Sequence, residues 1–453
     1  MNRCTNEFLQ QAGAIVGAEN LAVDEKTLRS GSRDCFHFSP VLVPLLESCQ
    51  AEAIAYPESE EQLVQLVALA VSNGVPVTPR GGGTGNYGQG VPLQGGLMIN
   101  TKRMNRIVDL KTEAARVEAG VSLWTLEAEA AAVEAELRMF PSTIATSSAA
   151  GFITGGSGGI GSIEWGMLRD GDNIRHARIV TAEATPQVID LNSRDELLDV
   201  LHNCGLTAFV TEVTFAMAPK TQWHQHIFAF DSLDEALTVA DEVANDKALR
   251  KRLVTAFEWP IPSFFKPLVR RGACPEGKAL LFLITDLDEG QMADYMVPIG
   301  GQATFYLPPP EPGSKTKGFQ IYEFTWNHTT QWAMKADPNL TYLQEGFATE
   351  RLQEQLRARR ERFGDQVSAH VEFTLDVESG SARAGGLSIV DFRGKDQLWE
   401  LIAYCEDNEI RISNPHTHFL DDDTRWYGDN FLKAKDRWDP HHLLNPGHLH
   451  ALE

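Results

Sequence analysis

Apolar positions recur with two periods along this chain, and the switches between them lay out its elements. Leu63, Leu66, Val67, Ala70 and Val71 fall on one face of a 3.6-residue repeat. Ser59 precedes them with Gln62 three residues on, and Gly74 follows, so a capped helix is predicted between Ser59 and Gly74. Apolar runs at 75–79 and 97–100 read as strands, and 106–110 with 115–119 as a hairpin around Lys111 and Thr112. Residues 123–136, rich in Ala and Glu, predict a second helix, and 174–182 with 188–191 a second hairpin. Ser193 and Glu196 form a capping box for a helix ending before Gly205, and 210–216 is a strand stopped by Pro219.

Beyond Pro219 the texture changes. Strands are predicted at 226–230, 280–284, 304–307, 319–326, 367–375 and 387–392. Helices are predicted after Ser232 with Glu235, at 352–363 and at 397–408. In the stretch 322–328, Tyr322, Phe324 and Trp326 would share one strand face, and Glu323, Thr325 and Asn327 the other. Strands separated by amphipathic helices predict an α+β second domain. The basic run Arg357, Arg359, Arg360 and Arg362 lies on a predicted helix and reads as a solvated face.

A length of 453 residues accommodates two or three domains. The chain has 62 acidic and 40 basic residues and a formal charge of −22, which disfavours nucleic acid and anionic membranes as partners. Six cysteines are scattered singly, none at CxxC spacing, as suits a reducing compartment. The N-terminal stretch lacks the apolar core of a signal peptide, and no run reaches the roughly 18 apolar residues of a membrane span. A cytoplasmic protein without a membrane span is expected, and the oligomeric state, a homo-oligomer included, is left open.

Two segments are glycine-dense: 80–88, Arg-Gly-Gly-Gly-Thr-Gly-Asn-Tyr-Gly, and 155–161, Gly-Gly-Ser-Gly-Gly-Ile-Gly. Each contains GxGxxG, at Gly83, Gly85 and Gly88 and at Gly156, Gly158 and Gly161. A Rossmann site needs a helix directly after the loop. Val91-Pro-Leu after the first loop and Ile163-Glu-Trp-Gly after the second are poor helix openings. Glycine loops also let backbone amides approach an anion closely, and two from one domain can hold a diphosphate between them.

Several ordered motifs carry a resemblance. The segment 77–85, Val-Thr-Pro-Arg-Gly-Gly-Gly-Thr-Gly, with Val91-Pro-Leu after it, resembles the vanillyl-alcohol oxidase / p-cresol methylhydroxylase FAD-binding domain. So do Pro57-x-Ser59, the run 100–105, the run 117–121, and the second loop in its place before Trp165-Gly166 and Arg169-Asp170. Trp438-Asp-Pro-His-His-Leu-Leu-Asn-Pro-Gly447 is similar to the family's closing motif. The resemblance implies an α+β flavoprotein: a two-subdomain FAD-binding domain over 1–219 (core 53–219), an α+β, ferredoxin-like cap over 220–411, and a segment 412–453 returning to the FAD domain. It implies FAD contacts from Pro79, Arg80, Gly81, Gly82, Gly83, Thr84, Gly85, Asn86, Tyr87 and Gly90. Ser142, Thr143, Ser148, Gly151, Gly155, Ser157, Gly158 and Val210 would add further contacts. Thr84 stands where some relatives link FAD through a histidine, so the FAD is expected to be non-covalent. Gly90 lies where family members with a small residue admit dioxygen to the flavin edge.

The resemblance implies an oxidoreductase that takes hydride from an alcohol or hydroxy-acid substrate, a small molecule, and passes electrons to oxygen or to a quinone or protein acceptor. The alternative is a non-catalytic flavoprotein serving electron transfer or assembly. The glycolate and D-lactate branch carries a C-terminal Gly-Glu-His-Gly, of which Asn414-Pro-His-Thr417 keeps only the histidine, and a metal motif that 369–374 lacks, so no metal is expected. Six of the thirteen histidines lie between His416 and His450. His416 and His418 alternate, and either suits a base for a hydroxyl proton. His328, Asn327 and Glu323 are cap candidates for substrate contact. Arg383 and Arg393 are candidates for a substrate carboxylate, and His370 and Glu372, on one side of their strand, are further candidates.

Overall fold

The computed structural model describes residues 1–310, 319–423 and 427–452. The helix Glu60–Ser72 starts at Ser59, whose hydroxyl accepts the Gln62 amide at 3.3 Å. Its apolar face and that of the N-terminal helix Asn6–Val16 pack on a four-stranded sheet. The order there is Leu21–Ala22, Ala53–Ala55, Leu97–Asn100, Val77–Arg80, with the last three parallel. A second sheet runs Ile107–Leu110, Ala114–Glu118, Phe209–Pro219, Ile174–Val180, Val188–Leu191, and both predicted hairpins lie in it.

The predicted helix 123–136 is shorter. Leu123–Ala130 is helical, Glu134 turns left-handed at φ 52°, and Ala135–Leu137 pairs with the end of Phe209–Pro219. The cause is Glu136, which accepts the buried Trp223 indole N–H at 2.9 Å and so belongs to the interior rather than to a solvated helix face.

The third sheet has eight strands: Gln302–Leu307, His224–Phe230, Ala279–Thr285, Lys251–Phe257, His370–Asp376, Ser381–Gly386, Glu345–Gly346 and Arg411–Ile412. Its centre is apolar on both faces. Leu280, Phe282 and Ile284 join the core shared with the second sheet, and Ala279, Leu281 and Leu283 face the helices Leu233–Asn245, Leu352–Phe363 and Lys395–Asp407. Arg252 fastens this sheet to the second one. Its buried guanidinium donates to Glu127 Oε1 at 3.1 Å and to the Leu137 carbonyl at 2.9 Å, over the Phe140 ring. Among the described residues no helix is long and apolar enough to cross a membrane.

Two expectations fail here. The segment 319–326 is no strand: Ile321–Phe324 is a 3-10 turn and Asn327–Ala336 a helix. Side chains of neighbouring strands take the donors that a strand partner would need, Gln225 the Ile321 amide and Glu372 the Trp326 amide, each at 2.8 Å. The basic run is not wholly solvated either. Arg359 is buried and paired with buried Glu345, while Arg357, Arg360 and Arg362 stay at the surface.

Candidate functional site

The strand Val77–Arg80 delivers the first glycine loop to the floor of a cavity of about 710 Å³. The loop packs against the second glycine region so tightly that side chains have no room. A Cβ on Gly82 would lie 2.1 Å from the Thr146 carbonyl oxygen, and one on Gly81 2.5 Å from Ser148 Oγ. Gly83 adopts φ +68°, a conformation that favours glycine, with the Arg80 guanidinium folded over it. Opposite, Ser148 caps the short helix Ala149–Gly155 by accepting the Gly151 amide. A Cβ on Gly155 would meet nothing within 4 Å. Asn86 is buried in the wall, and among the described residues its Nδ2 has no partner, an orphaned donor whose cost a ligand or water would relieve. This close-packed backbone cradle fits a dinucleotide.

Two remote segments hold the first loop. Asn445 Nδ2 donates to the Gln89 and Cys204 carbonyls at 2.8 and 2.9 Å, and its amide donates to the Val77 carbonyl at 2.7 Å. Buried Lys435 fixes that turn through Asp439 at 2.6 Å and the Leu444 carbonyl at 2.7 Å. From the N-terminal side, the Cys35 amide donates to the Gly85 carbonyl at 2.6 Å, and Arg80 donates to the carbonyls of Arg33 and Gly90. Asp34 accepts the amides of Phe36, Gly88 and Gly90. Burial pushes its carboxyl up to about 6, against the pull of Arg80 and those three amides. Sequence reasoning missed this strap around Asp34, because nothing local marks residues 33–36 as neighbours of residue 90.

The opposite wall comes from the eight-stranded sheet and its surroundings: Trp326, Asn327, Gln344, Glu345, Glu372, Thr374 and Arg383, with Glu406, Arg411, Thr417, Phe419, Asp422 and Asp423 further along. Glu372 is buried and accepts three hydrogen bonds. The Trp326 amide and His370 Nε2 each reach Oε1 at 2.8 Å, and Thr255 Oγ1 reaches Oε2. Arg383 is held by Asp170 at 2.7 Å.

The cavity gathers Pro79, Arg80, Gly81, Gly82, Gly83, Thr84, Gly85, Asn86, Tyr87, Gly90, Thr143, Ser148, Gly151, Gly155, Ser157, Gly158 and Val210. Ser142 is buried beside it and does not line it. The histidine and Glu323 candidates are not there. His416 is buried with both ring nitrogens engaged: Nδ1 with Ser39 Oγ at 2.8 Å, and Nε2 donating to the Tyr342 carbonyl at 2.9 Å. Burial lowers its pKa to about 4, so it is a neutral internal fastener, not a base facing substrate. His418 also lies off the cavity; Thr417 and Phe419 on either side of it line the cavity. Glu323 sits in the 3-10 turn and His328 on the following helix, and neither reaches the wall. Arg393 pairs with Asp391 at 2.8 Å, away from the cavity. Of the cap candidates, Asn327, Glu372 and Arg383 reach it, and His370 stands behind Glu372.

Close-packed glycine loops facing an antiparallel sheet across one cavity suit a flavin dinucleotide, and comparison with known proteins agrees. Residues 51–190 match the family model described as FAD binding domain; this part of the chain is an FAD-binding domain and FAD is its cofactor. The chain is 29% identical over 245 residues to an uncharacterized FAD-linked oxidoreductase of Mycobacterium tuberculosis, covering 52% of each chain. It is 28% identical over 211 residues to glycolate oxidase subunit GlcD of Bacillus subtilis, 43% of each. It therefore matches about half the length of these curated relatives. The structure resembles an alkyldihydroxyacetonephosphate synthase with a TM-score of 0.74 at 15% identity, over 98% of this chain and 85% of that one, a likeness of fold.

Proposed function

We propose that the protein is an FAD-dependent oxidoreductase acting on the CH–OH group of a small molecule, with residues 1–219 and 412–453 holding the cofactor and 220–411 closing over the substrate. The observation that carries this reading is the continuity of one cavity, with the glycine cradle at one end and Trp326, Asn327, Glu372 and Arg383 at the other. FAD, when bound, supplies the acceptor for a hydride. The chain's own contribution is a rigid backbone seat, exclusion of water by the covering sheet, and polar groups that orient the substrate. Relatives named as an FAD-linked oxidoreductase and a glycolate oxidase subunit support the class. The six cysteines, all free thiols, suit the cytoplasm.

Thr84 offers no imidazole for a covalent link, so acid precipitation should release the yellow colour into the supernatant. The reading is tested by anaerobic reduction of the bound flavin against alcohols, hydroxy acids and sugars. Bleaching by a member of the panel is the expected result. A flavin that stays oxidised throughout would assign the chain to electron transfer or assembly instead.

A further inference from the structure

Two polar atoms on the covering wall have no partner among the described residues. Trp326 Nε1 and Asn327 Oδ1 are buried and unbonded, although both residues line the cavity. Trp326 is also held at φ 50°, ψ −141°, a backbone state that side-chain-bearing residues rarely adopt. Its amide is pinned by Glu372, so the strain fixes where the indole stands. Orphaned buried groups and a strained, clamped residue together mark a ligand seat.

The seat has a definite chemistry. Trp326 Nε1 only donates, and Asn327 Oδ1 only accepts. Three of the roughly four lone-pair positions of the Glu372 carboxylate are taken by His370, the Trp326 amide and Thr255, which leaves one on Oε2. A hydroxyl group both accepts and donates, so it answers the indole on one side and an oxygen acceptor on the other. A carboxylate only accepts, leaves Asn327 unanswered, and faces the Glu372 charge. The charge lining this wall is mainly acidic, Glu345, Glu372, Glu406, Asp422 and Asp423 against Arg383 and Arg411, and Arg383 is held by Asp170.

We propose that Trp326, Asn327 and Glu372 form the seat for an uncharged, hydroxyl-bearing substrate and that this end of the cavity selects against carboxylates. The inference rests on the oxidoreductase reading above and narrows it from alcohols and hydroxy acids to the uncharged class.

The test uses FAD-loaded protein and matched pairs. Pinacol and 2-hydroxy-2-methylpropanoate lack a hydrogen on the hydroxyl-bearing carbon, so calorimetry or the flavin difference spectrum reads their binding without turnover. Pinacol should bind at least 10-fold more tightly. Among oxidisable pairs, propane-1,2-diol should reduce the flavin at lower concentration than either lactate. Trp326→Phe removes the N–H and keeps a ring; it should weaken pinacol about 10-fold with FAD content and melting temperature unchanged. Glu372→Gln should narrow the gap between pair members by at least 10-fold, mainly by admitting the carboxylate. Equal binding, a preference for the carboxylate, or a gap that Glu372→Gln leaves intact overturns the inference. If the lactates bleach the flavin and the diol does not, only the uncharged-substrate inference falls. If nothing in the panel bleaches it, the oxidoreductase reading falls first.

Discussion

The two walls of the cavity are built by different means. The cofactor wall is backbone: residues 81–90 and 146–158 meet so closely that added carbon atoms would sit 2.1–2.5 Å from their neighbours at Gly82 and Gly81. The covering wall is side chain: an indole, an amide and a carboxylate from residues 326, 327 and 372, with Glu372 of the eight-stranded sheet holding the Trp326 amide. A backbone seat tolerates almost no substitution, and its N–H groups favour an anion whatever the side chains around them. A side-chain seat survives substitution and changes its preference.

The sharpest way to break this contrast is Gly82→Ala. Its methyl would meet the Thr146 carbonyl, a backbone atom that cannot swing aside, so FAD affinity should fall by at least about 100-fold. Fluorimetric titration of apoprotein with FAD measures this. Near-normal affinity would mean that the two loops are not the cradle.

A smaller effect is expected at His416, which belongs to neither wall. His416→Gln should cost about 2 kcal/mol of stability, because Ser39 and the Tyr342 carbonyl lose a well-placed buried partner, while FAD stays bound. The folded-state pKa is depressed to about 4 from an ordinary value near 6.5. The contribution is therefore fully present above about pH 6.5 and is lost as pH falls toward 4, amounting to about 3 kcal/mol in all. Urea midpoints across this range should drop more steeply for the wild type than for the variant. A sharply slowed flavin reduction at neutral pH in His416→Gln would instead return this residue to the chemistry.

The smallest expected effect is at Gly90. Its backbone is not in the left-handed region, and an added Cβ would meet only Arg80 Nη1 at 3.4 Å, so glycine is not required there by conformation. If the bare position admits oxygen to the cofactor wall, Gly90→Val should slow air reoxidation several-fold while substrate-driven reduction is kept. Stopped-flow of the two half-reactions reads both, and equal reoxidation rates would remove the oxygen path.

The same contrast explains what could be read in advance. Spacing within 80–88 and 155–161 is local, so the two glycine loops and the strand leading into the first were legible. The covering wall was legible only in fragments. Asn327 and Glu372 were recognised as candidates, but the alternation in 322–326 suggested a strand, because Gln225 and Glu372, remote in sequence, satisfy the turn's amides. The alternating histidines misled for a related reason. A polar residue in a catalytic-looking motif can serve as an internal fastener, and only the three-dimensional partners of His416 reveal it.

The most direct test of the account is the ratio of flavin to protein absorbance in purified Gly82→Ala and Trp326→Phe measured side by side. Two separable walls predict a colourless Gly82→Ala protein and a yellow Trp326→Phe protein with one FAD per chain. A Trp326→Phe protein without flavin, or a Gly82→Ala protein with a full complement, would contradict it.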